Sequence, residues 1–169
     1  MAICLIVEDG TIVENANTYI DVDETKIILE NQGFDVSDLT ETELGQFILR
    51  SAQYIESFRN RYQGNKSTSD QTMQWPRINV AIDDYAIDSD VIPPELKTAQ
   101  ALGAYEESIG NELQSTCQKG TLIEETIHGA ITNKWADNGL STSGDNFAAI
   151  DGLLAPLFKS GSLSRVFRG

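Results

Sequence analysis

The stretch from Thr40 to Gly64 constrains the fold of this chain more than any other part of the sequence. Its apolar residues recur at steps of three and four, which places them on one stripe of an α-helix. They are Leu44, Phe47, Ile48, Ala52, Ile55, Phe58 and Tyr62. Glu43 lies three residues after Thr40, which is the spacing of a capping box. The sequence therefore predicts a long amphipathic helix that begins after Thr40, ends at Gly64 and packs its apolar face on other elements.

Three further segments carry helical signals. Asp21 and Glu24 have the capping-box spacing, and Gly33 suits the stop of a first helix that begins near Asp21. Pro93-Pro94 is expected to open another helix, because proline is well placed at the first helical position. A last helix is predicted over residues 145–158.

The remaining segments read as extended chain or loop. Residues 121–136 contain two β-prone runs on either side of His128-Gly129, which predicts a β-hairpin. The run 2–7 is also β-prone, whereas residues 64–92 are predicted to form a long, mostly polar connection. A connection of this length is often functional or interfacial.

We therefore expect a mainly α fold, a small bundle of about four helices with a β-hairpin, a long loop and an extended C-terminal tail. Residues 1–158 would form one domain and residues 159–169 the tail.

Charge and hydropathy exclude several classes of protein. The chain has 26 acidic and 12 basic side chains and a formal net charge of −14, which argues against general affinity for nucleic acid. No apolar run approaches the ~18 residues of a membrane span. The apolar N-terminal stretch lacks a basic region and runs into Glu8-Asp9, so no signal peptide is expected. We expect a soluble protein made in a cytoplasm.

Few residues suggest enzyme chemistry. The single histidine, His128, lies at the predicted hairpin tip, and Cys4 and Cys117 are too far apart in sequence for a CxxC pair. The aspartates of residues 83–90 could gather a hard cation but lack the order of an EF-hand. A solvated acidic loop is the favoured interpretation, and a metal-dependent hydrolase is the alternative. We predict no catalytic residue, no metal and no cofactor.

The segment Trp75-Pro76-Arg77 is the most specific feature of the long connection. Proline restricts the preceding tryptophan to an extended conformation, so the indole can pin a polar loop. The anchor could lie inside the monomer or at a subunit contact. Arg77 is expected to point to an acidic neighbour.

The C-terminal tail is a second candidate site. No acidic side chain follows Asp151, and apolar and basic residues are interleaved in the tail. The segment could be a frayed terminus, or it could order on an acidic partner or a neighbouring subunit. The candidate docking residues are Lys159, Leu163, Arg165, Val166, Phe167 and Arg168.

Several segments together resemble a group of tailed-phage proteins. The likeness lies in residues 5–11 (LIVEDGT), 16–20 (ANTYI), 71–77 (QTMQWPR) and 92–99 (IPPELKTA), and in the helix around Leu153-Leu154. The group, often described as "DnaT-like", sits among the head–tail connector proteins, also called adaptor or head-completion proteins. The resemblance spans nearly the whole chain and is weakest over residues 121–145.

This resemblance implies a structural, non-enzymatic role. Connector proteins of this kind are similar to small helical bundles with a β-hairpin, and they form a ring, typically dodecameric, below the portal of the capsid. The ring extends the DNA channel, helps retain packaged DNA and offers a platform for a tail or nozzle protein. The expected location is the neck of the virion, after synthesis in the host cytoplasm. The C-terminal segment of such proteins often reaches the portal, which would fit residues 159–169.

Subunit contacts of such a ring are expected in the 64–92 loop, the hairpin and the tail. The interface candidates are Trp75, Pro76, Arg77, Ile123, Ile127, Ile131 and Trp135. DNA would pass through the lumen without specific binding, because an acidic wall repels phosphates.

The rival hypothesis is a single-stranded-DNA-binding replication protein. Such binders need a basic groove with stacking aromatic side chains. Here the aromatic residues fall on helical stripes that predict a core, and the best basic set shares its helix with Glu43 and Glu56. That basic set is Arg50, Arg59 and Arg61.

Overall fold

The computed structural model describes residues 3–114, 122–127, 131–135 and 147–159, and for 122–127 and 131–135 it describes the backbone. Within these residues the fold is mainly helical, which confirms the predicted class. A short 3₁₀ turn, Ala155–Leu157, follows the last helix. The helices are α1 (Val22–Asn31), α2 (Glu41–Ser57), α3 (Pro94–Ser108) and α4 (Ala148–Leu154).

Three two-stranded antiparallel ladders complete the described residues. The longest confirms the predicted hairpin: Leu122 pairs with Trp135 and Ile127 with Ile131, with an irregularity between Leu122 and Glu124. The strands are β1 (Asn65–Lys66) with β2 (Arg77–Ile78), β3 (Val80–Ile82) with β4 (Tyr85–Ile87), and β5 (Leu122–Ile127) with β6 (Ile131–Trp135).

The helix starts follow the capping signals in the sequence. The Asp21 carboxylate accepts a hydrogen bond from the Glu24 amide at 2.8 Å. At α2 the capping box is complete, since the Thr40 hydroxyl accepts from the Glu43 amide at 3.3 Å and Glu43 accepts from the Thr40 amide at 3.0 Å. Each cap satisfies amide groups that have no partner inside the helix.

The end of α2 differs from the prediction. The helix ends at Ser57, not near Gly64, and the chain turns over residues 58–61. Tyr62 is nevertheless fully buried, and its hydroxyl donates to the Ile55 carbonyl at 2.9 Å. This contact satisfies a carbonyl of the last helical turn, so the turn is closed by tertiary structure rather than by further helix.

The core lies around α3, which contacts α1, α2 and α4. Gly103 allows α3 to approach α2 closely, because a Cβ at this position would lie 2.3 Å from the Ser51 hydroxyl oxygen. That hydroxyl donates to the Gln100 carbonyl at 2.7 Å. The two longest helices therefore meet at a small-residue contact reinforced by a buried hydrogen bond.

The last helix is shorter than predicted. It covers Ala148–Leu154 and passes into the 3₁₀ turn, and Phe158 is already extended. Pro156 has no amide hydrogen to continue the α-helical pattern, which accounts for the early end. Residues 145–146 lie outside the described residues.

The long connection predicted over residues 64–92 is present, and it includes short paired strands that the sequence did not indicate. The segment contains β1 to β4, and the turn between β3 and β4 is formed by Asp83 and Asp84, with φ of 50° and 69°. Positive φ at both central residues is the signature of a type I′ turn, the tight connection that suits a hairpin.

The expected N-terminal strand is not formed in the described residues 3–7. The segment makes a single bridge, Val7 to Thr18, within an irregular loop. The buried carboxylate of Glu8 closes this loop by accepting from the amides of Gly10, Ile12 and Val13 at 2.9 to 3.0 Å. A side chain thus provides the pairing that a neighbouring strand would have supplied.

Among the described residues, no helix is both long enough and apolar enough to cross a membrane.

Candidate functional site

Trp75 is fully buried inside the chain. Its ring packs edge-on against Tyr62 with ring centroids 5.8 Å apart, and its backbone amide donates to the Tyr19 hydroxyl at 3.1 Å. The Trp75–Pro76 peptide bond is cis, and Pro76 is buried as well. These two residues are therefore an anchor of the monomer. Their own chain encloses them in the monomer, and their role at a subunit contact stays a prediction.

Arg77 is also buried, with 5% of its surface exposed, and its role at a subunit contact likewise stays a prediction. Its guanidinium donates to three backbone carbonyls, those of Gln63 at 2.7 Å, Gly64 at 2.9 Å and Gln74 at 3.1 Å. The predicted acidic neighbour is thus replaced by carbonyls of two turns that would otherwise lack partners. Burial lowers the pKa of Arg77, but the group remains a cation because its ordinary pKa is so high.

Sequence reasoning missed a polar pair beneath this anchor. The Tyr19 hydroxyl donates to the carboxylate of Glu56, which also accepts from the Gln74 amide at 2.9 Å. Burial raises the pKa of Glu56, and burial together with the Glu56 charge raises the pKa of Tyr19 well above its usual range. Tyr19 therefore stays a hydrogen-bond donor. Glu56 lies on the polar face of α2, so periodicity alone assigns it to solvent.

A second polar contact joins the N-terminal loop to α3. The Gln100 side chain is fully buried and donates to the Thr18 hydroxyl at 2.7 Å and to the Ile48 carbonyl at 3.2 Å. Its oxygen accepts from the Tyr19 amide at 3.1 Å. The segment 16–20 thus contacts both the 71–77 segment, through Tyr19 and Trp75, and α3, through Gln100.

A groove of about 730 Å³ opens between the β3–β4 hairpin and the segment that follows α4. One wall is the β3–β4 hairpin with Ala81, Asp83 and Asp84, and the other includes Pro156 and Phe158. Both aspartates at the hairpin tip are exposed. Lys159, the last described residue, also lines the groove.

Among the predicted docking residues of the tail, Lys159 is the one that the structure describes. Its amide donates to the Arg61 carbonyl at 2.7 Å, and its ammonium group donates to the Asn60 carbonyl at 3.3 Å. The other predicted tail residues lie outside the described residues. They are Leu163, Arg165, Val166, Phe167 and Arg168.

The hairpin candidates lie on described strands. Ile123 and Ile127 belong to β5, and Ile131 and Trp135 belong to β6. The structure describes their backbone pairing, and their role in a subunit contact stays a prediction.

Comparison with known proteins gives one match. A family model described as "Putative DnaT-like ssDNA binding protein" matches residues 3–169. The chain belongs to this family. No curated protein and no solved structure matches the chain.

The family description directs attention to basic and aromatic side chains. In the part of the chain that the structure describes, two ion pairs form: Arg50 with Glu107 at 3.2 Å and Lys97 with Glu24 at 2.8 Å. Lys66, like Arg77, is bound to a backbone carbonyl, that of Gln71 at 2.9 Å. Much of the positive charge in these residues is therefore already engaged within the fold.

Three cations are arranged differently, at the turn after α2. Arg59 and Arg61 are exposed there, and Lys159 lies against the same turn. The Arg61 guanidinium sits 4.1 Å from the ring centroid of Phe158 and 5.1 Å from that of Phe58. These contacts are cation–π interactions that use ring faces a nucleic-acid base would need.

The other aromatic side chains that the structure describes lie in the core or pack against it. Tyr85, on the β3–β4 hairpin, is 77% exposed, and it is the one aromatic residue in the described part of the chain with a largely free ring. The same described residues contain no group of three or more histidine, cysteine, aspartate or glutamate side chains placed to hold a metal ion. The aspartates of 83–90 therefore do not converge as a hydrolase metal site would require.

Proposed function

We propose that this chain is a structural adaptor of a tailed phage, without enzymatic activity. It assembles into a ring, dodecameric by resemblance, beneath the portal in the neck of the virion. The ring extends the DNA channel and presents a platform to a tail or nozzle protein. DNA passes through the lumen without specific binding.

The observation that carries this proposal is the distribution of charged and aromatic groups. A chain with net charge −14 uses Arg77 and Lys66 on its own carbonyls and Lys97 and Arg50 in ion pairs. A wall of this kind repels the duplex, which suits a channel through which DNA must slide. Such an acidic surface does not suit a protein whose affinity for DNA comes from contacts with the phosphates.

The burial of Trp75 and Arg77 changes which surfaces would join the subunits. These residues stabilise the monomer, so the contacts are assigned to the β5–β6 hairpin and the C-terminal tail, as the sequence suggested, and to the exposed β3–β4 hairpin. Projecting hairpins and a terminal segment can contact neighbours without rebuilding the core.

Portal docking by the tail can be tested with a truncation. A chain ending at Phe158 lacks the tail but keeps α1 to α4, so it should retain the helical circular dichroism of the full chain. It should no longer co-purify with the portal protein of the same phage. Retained docking of the truncated chain would show that the tail is not the portal contact.

The second candidate is single-stranded DNA binding, and the family's description favours it. The exposed Arg59 and Arg61 and the adjacent Lys159 are the best-placed described cations for such a role. This function requires affinity for single strands that falls steeply with salt, because counterion release drives phosphate binding.

A titration of the full chain with labelled oligo-dT, followed by fluorescence anisotropy, separates the two candidates. The adaptor proposal expects no saturable binding at near-physiological salt. Saturable binding that Arg59→Glu weakens and the matched charge reversal Lys26→Glu leaves unchanged would favour the second candidate.

A further inference from the structure

The groove beside the β3–β4 hairpin has walls of different character. Asp83 and Asp84 form an exposed acidic rim on the hairpin side. Pro156 and Phe158 give the opposite wall an apolar surface. The groove has a volume of about 730 Å³ and is broadly open to solvent. An occupant matched to it would carry both positive charge and apolar side chains.

The last described residues of the chain, Phe158 and Lys159, lie at this groove. The Gln63 amide donates to the Leu157 carbonyl at 2.9 Å, and Tyr62 forms an antiparallel bridge with Phe158. The Lys159 amide then donates to the Arg61 carbonyl at 2.7 Å. These backbone contacts hold the start of the tail at the lip of the groove.

The sequence after Lys159 has the complementary composition. Ser160-Gly161-Ser162 is a turn-forming run, which allows the chain to reverse direction. The following residues include apolar Leu163, Val166 and Phe167. Arg165 and Arg168 supply positive charge, and no acidic residue follows Asp151.

We propose that the groove is the docking site of the chain's own C-terminal segment, residues 160–169. The apolar residues of the segment contact the Pro156–Phe158 wall, and its arginines face the Asp83–Asp84 rim. Fully extended, the segment spans about 35 Å at most, so it can turn back and cross the groove. This inference goes beyond the proposed function, because it concerns the isolated chain before the same segment docks on the portal.

Disulfide trapping in the full chain tests the docking. The native thiols are first removed as Cys4→Ser and Cys117→Ser, and then Ala81→Cys in the groove is combined with Val166→Cys in the tail. Ala81 is exposed and lies on β3, so the new cysteine should not disturb the core. Under a mild oxidant, docking predicts rapid formation of an intramolecular disulfide, seen as monomer on a non-reducing gel with loss of free thiol.

The matched control places the first cysteine at Asp38, which is also exposed. Asp38 precedes α2, whereas the groove lies beyond its end, and the 17 residues of α2 span about 26 Å. The Asp38→Cys and Val166→Cys pair should form its disulfide at least tenfold more slowly. Equal rates for the two pairs would overturn the proposal. A predominantly dimeric product for the Ala81 pair would also overturn it, because the occupant would then be the tail of a second copy.

The acidic rim is tested separately with Asp83→Asn and Asp84→Asn, since asparagine tolerates the positive φ of both positions. The double variant should slow trapping of the Ala81 pair several-fold at low salt. The control double variant Glu30→Gln with Asp38→Asn removes the same charge elsewhere and should leave the rate unchanged. Equal trapping in both would show that the rim does not attract the segment.

Discussion

Replacing Arg77 with methionine tests the anchor at the centre of this fold. The substitution keeps an unbranched apolar stem of similar shape but removes hydrogen bonds to the carbonyls of Gln63, Gly64 and Gln74. A hydrogen bond to a charged group contributes about 1.5–3 kcal/mol, and a buried carbonyl left without a partner costs about 1–3 kcal/mol. These values are not additive, and water can reach carbonyls near the surface. The variant also avoids the cost of removing the Arg77 charge from water. This further reduces the expected loss of stability. We therefore expect a loss of about 3 kcal/mol.

The measurement is urea unfolding followed by circular dichroism, with thermal unfolding as a second readout. For a chain of this size a loss of about 3 kcal/mol lowers Tm by roughly 6–12 °C. Arg59→Met is the matched control, because Arg59 is exposed, and its cost should be within about 0.5 kcal/mol. If Arg77→Met cost no more than Arg59→Met, the three carbonyl contacts would not stabilise the fold, and the account of this anchor would be refuted.

Two further variants test the packing and the buried carboxylate. Gly103→Ala should destabilise the fold by about 1–3 kcal/mol, because the new Cβ would lie 2.3 Å from the Ser51 hydroxyl oxygen. In a double-mutant cycle followed by urea unfolding, Ser51→Gly should reduce that cost, and full additivity would contradict the proposed clash. Burial raises the pKa of Glu56, so the native state binds this proton more tightly than the unfolded state does. The contribution of Glu56 to stability is therefore greatest below its unfolded pKa of about 4.3 and falls as pH rises through its higher folded pKa. Glu56→Gln should remove the part of the decline in stability that comes from Glu56. The measurement compares the unfolding free energies of the variant and the wild type across that pH range. Parallel pH profiles would contradict the assignment of this decline to Glu56.

The starts of the helices could be predicted from sequence, and their ends only in part. Asp21 and Thr40 act through residues three positions away, so their capping pattern is local and readable. The end of α2 depends on Tyr62, whose hydroxyl returns to the Ile55 carbonyl, and on the bridge between Tyr62 and Phe158. The second contact joins positions nearly one hundred residues apart, which a local pattern cannot reveal.

The β3–β4 hairpin was missed for a local reason. Its turn uses Asp83-Asp84, both with positive φ, where a glycine would have made the signal clear. β3 and β4 contain three residues each, which is too short for the alternation of apolar and polar side chains to be recognised. The run of aspartates therefore predicts an acidic loop, although two of them form the turn of a hairpin.

The anchor segment could be located from sequence, but its partners could not. Trp75-Pro76-Arg77 stood out by residue type, and burial inside the monomer was one of the two interpretations considered. The contacts of Arg77 with carbonyls required the fold, as did the pairing of Tyr19 with Glu56. Periodicity places Glu56 on the solvent face of α2, whereas in the fold Tyr19 and the loop carrying Gln74 cover it.

The adaptor function proposed above makes this chain a component of the phage particle. The most direct test is quantitative mass spectrometry of purified virions, with the copy number of this chain measured relative to the portal protein. The adaptor account predicts a stoichiometry close to that of the portal. Absence of the chain from the particle would contradict the account and leave single-stranded DNA binding as the function to pursue.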